Sequence, residues 1–419
     1  MINASDRQFH EQSLQSFRNT GTMIDVAGTS FDAAHFRGIM ALYAAPGVGR
    51  SVRLAHNGQD AIDFVRCSYL GLDNHPAIVE GAAKAVLDDG TLHWSCARTR
   101  LNFRRLGDVE DKLSDLFGAR ALTFTTVLAA NMSALPLIAS GHLTGGQRPV
   151  MVFDRLAHAT LAHHKGVVAQ ETRVETIAHN DLARLKEICR DNARVAYVCD
   201  GIYSMGGQAP IAALRDLQNR YGLFLYIDDA HGVSLFGPQG EGYARSQIND
   251  IGDRTIIASS LGKGFGASGG VLLLGSAGQE LLFRRFAIAH AFSASLNTAA
   301  LGAVAASANI HRSPELALRQ NRLAANVALL DELIPSDFAG QPFPIRMFPI
   351  GDELLTINTA RELLQRGFYV SAVFFPTVAR GKAGLRVCLT ADHTEEQLRG
   401  LAGAFADINA GLIGTDPSI

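Results

Sequence analysis

The segment Ser259-Ser260-Leu261-Gly262-Lys263-Gly264-Phe265-Gly266-Ala267-Ser268-Gly269-Gly270 sets one lysine among five glycines. The apolar run Thr255-Ile256-Ile257-Ala258 precedes it and Val271-Leu272-Leu273-Leu274 follows. A lysine held between buried strands is driven toward its neutral amine, the form that attacks a carbonyl. By itself Lys263 has three readings: a Schiff-base lysine, a phosphate-binding lysine, or a solvated loop residue. Gly264 to Gly269 has the G-x-G-x-x-G spacing of a dinucleotide loop, but that fingerprint needs a helix directly afterwards, and the continuation here reads as a strand. The phosphate loop of nucleotide hydrolases needs Ser or Thr after its lysine, where this chain has Gly264.

Other chemically capable residues also stand at the ends of apolar runs. Asp228-Asp229-Ala230-His231 follows Leu223-Phe224-Leu225-Tyr226-Ile227. An aspartate at a buried strand end needs a cationic or hydrogen-bonding partner. The protonated ring nitrogen of pyridoxal phosphate is one such partner, and a turn cap is the alternative. A carboxylate pair with one histidine, and no second histidine at helical spacing, argues against a metal site. His158, after the run ending at Phe153, can stack on a flat ring, cap a turn, or pack. His163 and His164 nearby read as helix-surface residues. In Asp200-Gly201-Ile202-Tyr203-Ser204, Ser204 can hydrogen-bond a cofactor hydroxyl.

These residues need elements to position them. Short apolar runs at Val150–Phe153, Val195–Cys199, Leu223–Ile227, Thr255–Ala258 and Val271–Leu274 alternate with helical periodicity, as over Pro76–Gly90, Val109–Phe117 and Ala212–Tyr221. Continuous apolar runs separated by helices indicate a mostly parallel sheet covered on both faces, and such sheets bind ligands at the carboxyl ends of their strands. After Gly302 the pattern changes. Helices over Leu316–Leu333 and Thr356–Arg366, strands near Ile345, Phe368 and Leu385–Leu389, and a last helix opened by Thr394 and capped by Thr390 or Asp392 read as a smaller α+β domain. The expected division is an N-terminal segment, 1–60, containing a helix over Arg7–Asn19; a large α/β domain, 61–310; and a small domain, 311–419.

The chain has 419 residues, enough for two cores. Its 47% hydrophobic and 19% charged content describes a compact globule. A net charge of −2 with no long charged run gives no sign of a nucleic-acid partner. No apolar stretch is long enough to span a bilayer, and the start lacks the pattern of a signal peptide. Five scattered cysteines without a C-x-x-C pair read as reduced thiols of a cytoplasmic protein.

Taken together the motifs resemble those of the α-oxoamine synthase family of pyridoxal-phosphate (PLP) enzymes. The similarity runs from Ser68-Tyr69-Leu70-Gly71-Leu72 to Leu385-Arg386-Val387 and Ala391-Asp392-His393-Thr394. It implies the fold of the aminotransferase-like, fold-type-I PLP enzymes. Lys263 matches the lysine that forms the Schiff base, Asp228 the partner of the pyridine nitrogen, and His231 the histidine near the phenolic oxygen. His158 matches the ring-stacking histidine, Ser204 a second neighbour of that oxygen, and Ser260 a phosphate contact. Ser293 resembles the segment that reaches the partner subunit's phosphate, which implies a homodimer with shared sites, and Arg386 matches the arginine that holds the amino-acid carboxylate.

Several positions depart from the family. Ser68 replaces a substrate-side Asn, and Val127-Leu128 replaces the Gly-Phe or Gly-Tyr pair beside the cofactor. His93-Trp94-Ser95-Cys96-Ala97-Arg98 replaces a glycine- and serine-rich loop, and Met205-Gly206-Gly207-Gln208 replaces Met-Asp-Gly-Asp. These changes mark a reshaped substrate pocket, or packing and surface charge at Trp94 and the arginines Arg98, Arg100, Arg104 and Arg105. The resemblance implies decarboxylative condensation of a small α-amino acid with an acyl thioester to an α-amino ketone. The alternatives are transamination or decarboxylation on the same fold, and a binding protein that has kept it.

Overall fold

The computed structural model describes residues 20–413, so the helix expected over Arg7–Asn19 lies outside the described residues. The chain separates into two compact units, one formed by Leu70–Leu318 and the other by Asn19–Tyr69 with Arg319–Ile419. This differs from the expected N-terminal, large and small segments. Asp60–Asp63 pairs in parallel with Phe368–Tyr369, so residues on either side of the larger unit share one sheet. Pairing across some 300 residues leaves no local periodicity to read.

The larger unit is built on seven strands: β1 (Arg120–Phe124), β2 (Val150–Asp154), β3 (Val174–Ile177), β4 (Val195–Asp200), β5 (Phe224–Asp228), β6 (Thr255–Ser260) and β7 (Gly270–Leu274). Their order in the sheet is β1-β7-β6-β5-β4-β2-β3. All neighbours run parallel except β7, which is antiparallel to both β6 and β1. Strands β2, β4, β5, β6 and β7 are buried along their whole length, which is why they appear in the sequence as continuous rather than alternating apolar runs. One apolar cluster lies on each face of the sheet.

Helices α1 (Pro76–Asp89), α2 (Arg104–Phe117), α3 (Val127–Ala139) and α4 (Thr298–His311) cover this sheet or pack beside it. Gly90 ends α1 in a left-handed conformation, with its N–H on Val86 O. Helices α1 and α4 meet through two glycines: a Cβ on Gly302 would lie 2.2 Å from Gly81 O. His164, expected at a helix surface, is buried instead, its Nδ1 2.7 Å from Thr160 O. Burial lowers its pKa.

The other unit holds a four-stranded sheet that contains Asp60–Asp63 and Phe368–Tyr369, and a three-stranded antiparallel sheet built on Ala383–Cys388. Its last helix, Glu395–Ile413, is capped by Thr394 rather than by Thr390 or Asp392. Thr394 Oγ1 accepts from Gln397 N at 3.2 Å and Gln397 Oε1 accepts from Thr394 N at 3.1 Å, a reciprocal capping box. Thr390 is occupied elsewhere, with its N–H on His393 Nδ1.

Candidate active site

Parallel strands bring their carboxyl ends to one edge, and four loops leave that edge of the larger unit carrying polar side chains. Residues Asp200 and Asp228 are register partners at the ends of β4 and β5. The loop after β2 supplies His158, the loop after β5 supplies His231, and the turn between β6 and β7 supplies Lys263. With Val127 at the start of α3 and Ser260 at the end of β6, they line one cavity of about 250 Å³.

The turn after β6 leads into strand β7, with no helix, so it is not a dinucleotide loop. Lys263 is half-buried rather than fully enclosed, and its Nζ lies 2.9 Å from His231 Nε2. The tightness of the turn comes from glycine. A Cβ on Gly270 would lie 2.6 Å from Val127 N, so this glycine lets the lysine-bearing turn close against the first residues of α3. Thr126 caps α3, its Oγ1 accepting from Ala129 N at 3.1 Å. The N-terminus of α3, beside the hydroxyls of Thr125, Ser260 and Ser268, suits an anion such as phosphate.

Asp228 is buried, and its carboxylate is held on both oxygens. Oδ1 accepts from Ala230 N and Oδ2 from Asn131 Nδ2, each at 3.1 Å. Asn131 is oriented in turn by Tyr226, whose hydroxyl donates to its Oδ1 at 2.6 Å. Burial raises the Tyr226 pKa well above its ordinary value, so the phenol stays a donor. Asn131 Nδ2 also reaches Thr160 Oγ1 at 3.1 Å, and Thr160 Oγ1 lies 2.8 Å from His158 Nδ1. One amide therefore fixes both the aspartate and the histidine. Asp200 accepts from His158 N at 3.1 Å. Burial, with Asp228 alongside, pushes the Asp200 carboxyl well above its ordinary range.

Six residues expected from sequence thus share the cavity: Val127, His158, Asp228, His231, Ser260 and Lys263. Ser204 lies in the loop after β4, Leu128 faces outward at 46% exposure, and Ser293 caps the carboxyl end of helix Ile288–Phe292. None of these three is among the residues lining the cavity. Asn131, Thr160, Tyr226 and Asp200 were not assigned from sequence. Asp200 and Tyr226 stand in segments already singled out, and the strand-end position of Asp200 was a usable signal. The Tyr226–Asn131 bond joins two distant segments and left none.

Ser68 and Arg386 belong to the other unit. Ser68 is buried, while Arg386 is half-buried, with Nη2 3.5 Å from Cys67 Sγ. Burial works against the Arg386 charge, but Cys388, Tyr69 and Cys67 beside it outweigh that and raise its pKa above the ordinary arginine value. Of the arginines near Trp94, Arg98 and Arg105 are held in ion pairs, while Arg100 and Arg104 are exposed. Arg98 is buried against Glu110 at 2.6 Å and Arg105 pairs with Asp89 at 2.8 Å, while Trp94 itself stacks near Phe103 at 4.6 Å between centroids.

The model of the family "Aminotransferase class I and II" matches residues 60–405. An 8-amino-7-oxononanoate synthase from Geobacter sulfurreducens is 31% identical over 368 residues, covering 86% of this chain and 92% of that protein. A serine palmitoyltransferase from Bacteriovorax stolpii is 31% identical over 353 residues, covering 81% and 80%. Among solved structures, SPT with a PLP internal aldimine superposes with a TM-score of 0.82 at 20% identity, over 94% of this chain and 99% of that one. At that identity the last likeness is one of fold.

Proposed function

The chain belongs to the aminotransferase class I and II family, and within it to the α-oxoamine synthases, and from that premise we propose that it is a PLP-dependent acyltransferase joining a small α-amino acid to an acyl thioester with loss of carbon dioxide. The observation that carries this reading is the single cavity that holds Lys263 against His231, with Asp228 and His158 on its walls.

The residues present fit the cofactor. Lys263 offers an amine to its carbonyl, and Asp228 an oriented carboxylate to its acidic ring nitrogen. His158 offers a flat face, and the start of α3 with Ser260 and Ser268 offers donors to its phosphate. When bound there, the cofactor supplies an electron sink for the carbanion developing at the amino-acid Cα. Lys263 would hold the cofactor through its amine and, once freed from it, would be the base for the Cα proton. His231 holds Nζ in place for that transfer, 2.9 Å away. Asp228, oriented by Asn131 and Ala230 N, would be the hydrogen-bonding partner of the ring nitrogen. The carboxylate of the amino acid is assigned to Arg386, and Ser68 and Val127-Leu128 to selection among substrates.

The active form is a homodimer in which Ser293 serves the partner's site. Supporting this, Trp94, Leu101, Phe286 and Phe292 of the larger unit are 54%, 65%, 64% and 79% exposed, large apolar side chains of the kind that subunit contact covers. No helix among the described residues is long and apolar enough to cross a membrane. The proposed location is the cytoplasm.

Proton abstraction is tested by incubating the PLP-loaded protein with candidate amino acids in heavy water. The expected outcome is Cα deuteration of the cognate amino acid by the wild type and none by Lys263→Ala. Equal exchange by both would overturn the role of Lys263.

A further inference from the structure

Asp229 follows Asp228 but does not line the cavity, and it is fully buried. Its Oδ2 accepts from Ala244 N at 2.9 Å, whereas Oδ1 has no hydrogen-bond partner among the described residues. Glycines enclose the carboxyl. A Cβ on Gly201 would lie 2.3 Å from Oδ1, one on Gly232 2.1 Å from Oδ1, and one on Gly242 2.5 Å from Oδ2. Gly242 has φ +107 and needs glycine for its backbone alone. Gly201 and Gly232 have no such need, and for each the three nearest atoms to the added Cβ all belong to the Asp229 side chain. The carboxyl is thus the nearest obstacle to a side chain at either position. These two glycines directly follow Asp200 and His231, both of which line the cavity.

We propose that Asp229 is a positioning residue for the active site, its carboxyl being the strut against which the Asp200–Gly201 and His231–Gly232 backbones are packed. The inference rests on the active-site reading above for its consequence, and on the glycine geometry alone for the strut. Burial favours the uncharged form of the Asp229 carboxyl. Burial raises its pKa to about 8, with a further contribution from Asp228. The other titratable groups around it are Cys199 and Asp200 on β4, Tyr243 beyond Gly242, and His231 on its own loop. The folded pKa is raised above the unfolded value of about 3.9. The folded state therefore binds the extra proton, and its stability declines as pH rises through the window up to about 8, then levels off.

The test combines Asp229→Asn, Asp229→Ala, Gly232→Ala and the double variant Asp229→Ala/Gly232→Ala. Thermal melting of the cofactor-free protein is followed from pH 5 to 9, and PLP affinity by titration. Gly232→Ala is expected to weaken PLP binding by about tenfold or more in the wild-type background and by less than about threefold in the Asp229→Ala background, where the space has been opened. Asp229→Asn, equal in size and uncharged, is expected to bind PLP more tightly than Asp229→Ala and to melt without the wild type's decline toward pH 8. Equal cost of Gly232→Ala in both backgrounds would overturn the strut. So would Asp229→Asn being as impaired as Asp229→Ala. If the wild type bound no PLP, the PLP reading would fall, while the melting data would still decide the strut. If Asp229→Ala does not fold, Gly232→Ala alone decides: PLP binding within about threefold of the wild type's overturns the proposal.

Discussion

Lys263 Nζ and His231 Nε2 lie 2.9 Å apart, and Lys263 carries the one amine among the residues lining the cavity. On the proposed reading Lys263 carries both covalent attachment and proton transfer, so Lys263→Ala should lower turnover by about a thousandfold or more. Peptide mass spectrometry after borohydride treatment of PLP-loaded protein should find the pyridoxyl mass on Lys263. Asn131 is the next most telling residue. Asn131→Ala strands the Tyr226 hydroxyl and takes one donor from Asp228. Leaving buried polar groups unmet costs about 1–3 kcal/mol, so PLP affinity measured by titration should drop by about tenfold or more. At this scale Lys263, Asp228, His231 and His158 were legible in sequence because each follows an apolar run. Asn131 and Asp229 were not, because their roles depend on segments brought together only by folding.

Helix α2 is tied to β1 by Glu110, which is buried and accepts from Arg98 at 2.6 Å, Arg284 at 2.9 Å, and Thr123 N at 2.8 Å. Burial alone would raise its pKa, but Arg98, Arg284 and the Thr123 N–H outweigh that and hold it below the ordinary value. A depressed carboxyl contributes stability above the unfolded value of about 4.3, and that contribution is lost as pH falls through the folded value. Glu110→Gln leaves Arg98 buried without its counter-charge, a loss of about 3–5 kcal/mol. Denaturant melts at pH 7 should show that loss, and the gap from wild type should narrow at pH values below about 4. The strands themselves were readable because β2 and β4 to β7 are buried throughout and carry unbroken apolar runs. The antiparallel placement of β7 between β6 and β1 was not readable, since strand order is set by long-range pairing rather than by local pattern.

For the molecule as a whole, the sequence conveyed two cores but misplaced what they contain. Asn19–Tyr69 joins Arg319–Ile419 because Asp60–Asp63 and Phe368–Tyr369 pair, a fact with no local signature. On the proposed dimer, light scattering of the holoenzyme should give the mass of two chains. Phe292→Glu, 79% exposed in the isolated chain, should shift that mass toward one chain. A mass unchanged by dilution and equal to a single chain for the wild type would contradict the dimer. The central claim is the condensation itself, and free-thiol release answers it most directly. Purified, PLP-loaded protein is given an amino acid, an acyl thioester, or both, over a panel of each, and thiol is measured against time. The expected result is thiol release only when both substrates are present, in step with carbon dioxide and an α-amino ketone. Formation of a keto acid from the amino acid, with the thioester left intact, would contradict it.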